Sequence, residues 1–424
     1  MKNATTLFLL FFLGLVPVLS APASPGSDRA IAQAQNKIRR NPNNPLPYYE
    51  LGDAYIQKAR ESGDVSYVDL AEQALRKSLS LSPQQSAVLR HLAYALASRH
   101  DFAAAAVEAE KAIALDPKDD DAYVVLGDAY AETGRYDQSE KSYATMIGLK
   151  ESLSSRSRLS GLKSLKGDTE GAITDLQKAI QLGIEQNQPN ESIAWAQWQL
   201  GMEHFAVGRL KDAEKQYLEA LATYANYYRA NAGLAQVRAA QKKFTEAISL
   251  YQKALAVVPY PEYAAALGDV YRKLGRGADA KKQYELVEYI GYLSSVNKVI
   301  YNRDLAYFYC DHDLKPADAL LLAQKELEAR KDIYGYDVLA WSLYKNDRFA
   351  EAKSAIDEAM KLGTKDAKLF FHAGMIYRRL GENEKGREYL QRALNINPNF
   401  HVIHADVVRR ELTELKKLVQ VRQP

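Results

Sequence analysis

Two short clusters bring together side chains that could ligate a metal or act as nucleophiles. Cys310-Asp311-His312-Asp313 sets a thiol, an imidazole and two carboxylates in consecutive positions. Soft and hard donors in one stretch could hold a metal ion. A thiol with a base arranged beside it could also attack an electrophile. The same residues suit a helix end better, with Tyr309 and Cys310 finishing one helix and the aspartates forming the turn and capping the next. His401-x-x-His404, with Asp406, puts two imidazoles one turn apart on a helix face. No third ligand stands in register with them, so a chance pair is favoured. The other histidines, His91, His100, His204 and His372, are scattered singly. The chain has no HExxH, GxxxxGK[ST] or GxSxG motif and no GxGxxG after a strand, and Gly275-Arg276-Gly277 reads as a turn between helices. The expectation is no enzyme, no metal and no cofactor.

The elements that carry these residues repeat. Leu51-Gly52-Asp53-Ala54-Tyr55 recurs as Leu126-Gly127-Asp128-Ala129-Tyr130 and as Leu267-Gly268-Asp269-Val270-Tyr271. Later in each unit come segments such as Ala105-x-x-x-Ala109-x-x-Ala112 and Ala247-x-x-x-Tyr251-x-x-Ala254, several ending at a proline: Pro83, Pro117, Pro259 and Pro398. Between them lie breakers, Thr133-Gly134-Arg135, Val207-Gly208-Arg209, Leu274-Gly275-Arg276 and Leu380-Gly381-Glu382.

This pattern resembles the tetratricopeptide repeat family, whose unit is two amphipathic helices with Leu-Gly, Tyr, Ala and Pro at fixed offsets. About ten units align over residues 45–400. The resemblance implies an all-α fold, an α-solenoid in which helix pairs stack into a right-handed superhelix because no pair can bury its apolar face alone. Residues 21–44 read as a leader and N-terminal helix, and 401–424 as a capping helix with apolar Ile403, Val407, Leu415 and Leu418 among charges. Three places are longer than the repeat: Glu61 to Tyr67, Ile184 to Glu191 and Tyr289 to Asn297. The eighth unit's second helix, from Pro316, fits only with a one-residue slip, and the fourth unit's first helix (Ser154 to Arg158) is unusually polar. Kinks or openings of the superhelix are expected at these places.

The family binds its ligands on the concave face, lined by the first helix of each pair. Carried over, the residue after the Leu-Gly pair points into the groove. In the last three units it is Tyr307, Trp341 and Met375; four residues earlier stand Arg303, Asp337 and Phe371, and Tyr334 lies seven before Trp341. Trp, Tyr and Arg dominate interface hot spots, so an aromatic strip edged by charges is expected there. Trp195 and Trp198 in the fifth unit form a second candidate. Aromatic stripes at helical spacing also serve as core, and that alternative stays open for both sets. Asp53, Tyr94, Asp128 and Asp269 make the remaining lining acidic or neutral.

The chain has 424 residues, 47% hydrophobic and 26% charged, which excludes wholesale disorder. Lys+Arg 56 against Asp+Glu 53 leaves a net charge of +3, with no basic footprint for nucleic acid. One cysteine excludes an intramolecular disulfide. Lys2 followed by an apolar run from Leu7 to Leu19, with Ser20, Ala21 and Ala23 after it, has the layout of a secretory signal peptide over 1–20. Cleavage fits after Ser20 or Ala23; an uncleaved anchor or a buried helix are the alternatives. The expected protein is exported, periplasmic or secreted if the source is bacterial, with no stable membrane span after cleavage. Its expected function is a non-enzymatic scaffold that binds a protein, as a peptide or partner helix, in the concave groove. The alternative is a carbohydrate- or envelope-polymer-binding component of an export or assembly system, suggested by 28 tyrosines against 11 phenylalanines.

Overall fold

The computed structural model describes residues 25–296 and 302–421; the signal peptide expected over 1–20 lies outside them. The described residues form helices with no strand. A lone helix α1 (Pro25–Arg40) precedes ten helix pairs. The pairs are α2 (Pro45–Ser62) with α3 (Ser66–Leu81), α4 (Ser86–Ser98) with α5 (Phe102–Leu115), α6 (Asp120–Glu132) with α7 (Tyr136–Leu149), and α8 (Leu153–Leu165) with α9 (Thr169–Glu185). Next come α10 (Asn190–Ala206) with α11 (Leu210–Thr223), α12 (Tyr228–Ala240) with α13 (Phe244–Val257), and α14 (Pro261–Lys273) with α15 (Gly277–Val296). The last are α16 (Asn302–Asp311) with α17 (Pro316–Ala329), α18 (Ile333–Lys345) with α19 (Phe349–Ala359), and α20 (Ala367–Arg379) with α21 (Asn383–Ile396). A final helix, α22 (His404–Val421), closes the array. The fold is an all-α solenoid.

The Leu-Gly motif is explained by what lies across each pair. A Cβ on Gly127 would stand 2.3 Å from the ring of Tyr143, and one on Gly268 would stand 2.4 Å from the ring of Tyr284. The second helix therefore lays an aromatic ring flat on the backbone of the first. The alanines of the second helices, Ala105, Ala109, Ala172, Ala179, Ala247 and Ala254 among them, are wholly buried for the same reason. Close approach of backbones leaves no room for larger groups. The polar helix α8 is satisfied locally. Ser152 and Ser155 form a capping box, and the Ser157 hydroxyl donates to the Leu153 carbonyl at 2.8 Å.

The three longer places extend helices where kinks were expected. The insertion around residues 61–67 lets α2 run on to Ser62, so that its last turn, with Arg60, is extra and the helix is 18 residues long, and 184–191 lengthen α9 and α10 to 17 each. Tyr289 and its neighbours extend α15 to 20 residues. Two of these extensions meet. Arg60, in the added turn of α2, forms an ion pair with Glu191 and donates to the Ser192 hydroxyl at 2.8 Å, both in the first turn of α10. The insertions act as a strut across the inside of the superhelix.

The superhelix winds tightly enough for successive turns to touch. The turn between the helices of one pair meets the start of the pair about six further on. Gly63 packs on Val258, and Gly134 faces the Lys331 carbonyl. Tyr136 accepts at its hydroxyl from the Ile333 amide at 2.8 Å, and Arg330 pairs with Glu132 at 2.7 Å. Thr364 donates to the Leu165 carbonyl, and Asn397 donates to the Phe205 carbonyl at 2.7 Å. His100 lies near Arg330 and Arg303; burial and their positive charge push its imidazole down to about 3. The result is a tube with its first helices inside and a closed seam.

Candidate binding surface on the inner wall

The inner wall is built from the first helices, and the expected strip of the last three units is divided: Trp341, Asp337 and Phe371 are buried, while Arg303 and its neighbours on the strip are half-buried. Trp341, Asp337 and Phe371 are each 2% exposed. The Trp341 indole stacks on His372 at 4.4 Å and on Tyr344 at 4.8 Å and donates to Asp311 at 2.8 Å. The Tyr307 hydroxyl donates to Asp337 at 2.6 Å, and Lys368 lies 3.7 Å over the Tyr307 ring. Arg303 is bound by Asp332 and Glu326. Tyr307, Tyr334 and Met375 are only partly covered. These side chains stitch one unit to the next, which leaves Trp341, Asp337 and Phe371 no surface open to a ligand. Phe371 is further covered by the chain itself: Phe400 stands 6.0 Å away and His404 stacks on its ring at 4.8 Å.

The acidic lining has the same linking role. Asp128 accepts from the Tyr143 hydroxyl at 2.6 Å and pairs with Arg158 of the next unit. Asp269 accepts from Tyr284 and from His312, both at 2.8 Å. Asp53 meets His91 at 3.2 Å. Burial opposes a charge on His312, but its bond to Asp269, the charge of that carboxylate and the bond to the Phe308 carbonyl together outweigh it and raise its pKa.

The side chains of the first chemical cluster turn to separate partners, while the two histidines of the second stay together. The Cys310 thiol is buried against the Ser342 hydroxyl at 3.3 Å, and burial pushes it up to about 12, far from a thiolate at neutral pH. Asp311 faces Trp341 and Lys368, while Asp313 pairs with Lys345. His401 and His404 stack on one another at 4.1 Å, and Asp406 turns away to Lys273 and Arg409. Among the described residues no group of three or more His, Cys, Asp or Glu is arranged to hold a metal ion.

The fifth unit differs. Trp195 and Trp198 are only partly covered, and Met202, at the position after Leu200-Gly201, is 42% exposed. The rule of groove positions that picks Trp341 also picks Met202, which the sequence reading passed over. Arginines from neighbouring units lie over both indoles: Arg158 at 5.5 Å from Trp195, and Arg229 at 5.1 Å from Trp198. Arg229 also lies over Tyr228 at 5.1 Å and has no carboxylate partner among the described residues. A guanidinium stacked on rings and without a carboxylate in ion-pair contact has the chemistry to accept an acidic group. Glu262 nearby is exposed to water, yet the surrounding protein raises its pKa; burial also pushes Glu203 up to about 7.

Fold and surface together define a helical-repeat interaction scaffold. Tetratricopeptide-repeat models match residues 96–148, 199–264 and 367–400. The chain carries tetratricopeptide repeats at these residues, a repeat of proteins that bind protein partners and are generally non-enzymatic. No curated protein matches it in sequence. Among solved structures it is similar to yeast Tom70, at 14% identity over 94% of this chain and 93% of that one, TM-score 0.40. It is also similar to PilW, a type IV pilus biogenesis factor, at 20% identity over 47% of this chain and 90% of that one, TM-score 0.41. A third is YrrB, a repeat protein with an unusual peptide-binding site, at 20% identity over 44% and 94%, TM-score 0.30. Among the described residues no helix is long and apolar enough to cross a membrane.

Proposed function

We propose that the protein holds an extended partner peptide on the inner wall of its fifth and sixth units, without a catalytic step. Trp195, Trp198 and Met202 form the apolar platform, and Arg229 takes an acidic side chain or a terminal carboxylate of the partner. The observation that carries this is Arg229, stacked on Trp198 and Tyr228 without a carboxylate. A peptide bound there would gain ring contacts and a charge-assisted hydrogen bond together.

The test is selection from a random peptide library on the mature chain. Selected peptides should carry an acidic group beside an apolar one. Binding should weaken at least about tenfold, roughly 1.4 kcal/mol, for Trp198→Ala combined with Arg229→Gln. Helix content should be unchanged. Peptides whose affinity ignores these substitutions would refute the proposed site, and a glycan array sensitive to them would replace the peptide by a polymer. The protein is also proposed to be exported through the signal over residues 1–20. N-terminal sequencing of the native protein should begin at Ala21 or Ser24; a start at Met1 would remove that part.

A further inference from the structure

The segment between α21 and α22 lies across the inner wall of the upper units, where the sequence led one to expect a ligand. Phe400 and His404 cover Phe371. His401 reaches Asp269 of the seventh unit at 3.4 Å, and His404 lies 3.8 Å from Asp311 of the eighth. The segment is tied at one end by Asn397 to the Phe205 carbonyl. At the other end the ion pair of Asp406 with Lys273 holds it, and Ala405, Val408, Leu412 and Leu415 of α22 are buried.

The geometry points to residues 400–406 as an intramolecular ligand of this wall, a plug that a partner segment of the same chemistry displaces. That partner carries an aromatic side chain, with cationic or hydrogen-donating side chains one and four residues later to meet Asp269 and Asp311. This rests on the inner wall being the binding face.

Two features mark the plug as releasable. Nδ1 of His404 is buried and has no hydrogen-bond partner, a cost that the bound state bears and a solvated segment does not. The carboxylates it meets are already served: Asp311 by the Trp341 indole and Lys368, and Asp269 by Tyr284 and His312. The wall therefore keeps its own bonds when the plug leaves. An arginine in the place of either histidine would bring a fixed charge and a fork of donors to a carboxylate.

The probe is a fluorescent synthetic peptide copying residues 397–412, added to the full chain and to a full-length variant carrying Phe400→Ser, His401→Ser and His404→Ser. The peptide should bind the variant at least about tenfold more tightly than it binds the wild type, where the plug competes. A copy with arginine at both histidine positions should bind better still. A copy with the three serines should not bind. Equal binding to both chains, or binding to neither while the variant melts cooperatively, overturns the inference.

Should the variant fail to fold, hydrogen exchange on the wild type decides. Amides of 401–412 should exchange by local opening, ahead of those of α20 and α21. Exchange only together with α20 would make the segment an integral cap. The Trp198→Ala, Arg229→Gln chain should compete with the plug peptide as the wild type does. Failure of the lower-wall site and failure of the plug are therefore told apart.

Discussion

The first and second turns of the superhelix use the same helical unit and are finished in opposite ways. In the first turn, the loops inside the pairs are roofed by the next turn, and Met202 is exposed beside half-buried Trp195 and Trp198. In the second turn, nothing lies within 4 Å of a Cβ placed on Gly275 or Gly381, while the wall around Trp341 and Phe371 is filled. The same residue type therefore plays two parts. A tryptophan on a first helix is half-buried under an arginine at Trp198, and a core residue at Trp341, where His372 and Tyr344 sandwich it.

The largest contrast is between the tryptophans. Trp341→Ala empties a filled site and should lower stability by about 3–5 kcal/mol, whereas Trp198→Ala should cost about 1 kcal/mol or less. Urea unfolding followed by circular dichroism measures both, and equal costs would erase the distinction between the two walls.

The loops come next. Gly134 and Gly275 share a left-handed φ, +75° and +72°, but an added Cβ on Gly134 would lie 2.4 Å from the Lys331 carbonyl oxygen. Gly275→Ala should cost about 1 kcal/mol for its backbone alone. Gly134→Ala adds the displaced seam and should reach about 2–3 kcal/mol. Matching losses in thermal melts would mean that the turns do not press on one another.

Acid should act on both turns through their buried histidines. His100, at the seam, is held down to about 3 by burial and by Arg330 and Arg303, and burial with His401 beside it holds His404 well below its usual value. The unfolded chain binds these protons first. Stability should therefore fall as the pH drops from about 6.5 toward 3, by up to about 1.4 kcal/mol per unit for each histidine. His312 has the opposite sign. Its raised pKa supports the fold at low pH, and that support is lost as pH rises through the folded value. His100→Asn should flatten the acid slope of denaturant midpoints, and an unchanged slope would place the sensitivity elsewhere.

The smallest effect belongs to the seam ion pair. Arg330→Met breaks a partly exposed contact with Glu132 and should cost about 1 kcal/mol or less, shrinking further in high salt.

Much of this was legible along the chain. Leu-Gly with a ring sixteen residues later marks a local packing event, Gly127 under Tyr143, and it recurs because each pair meets only its neighbours. The open platform was half legible. Trp195 and Trp198 are conspicuous, but Arg229 carries no signal of its own until the fold lays it on Trp198. The strip of the last three units follows the groove positions, yet its closure depends on residues 400–406 returning to Asp269, more than a hundred positions earlier.

The sequence by itself determined the helices, their pairing and the all-α solenoid, since those follow from periodicity and small residues within a single repeat. Only the tertiary structure decided that the turns touch, that Arg60 meets Glu191, and which stretch of inner wall stays open. Pitch and closure are sums of small rotations from unit to unit. A helix lengthened by one turn changes the sum, so they belong to the whole array.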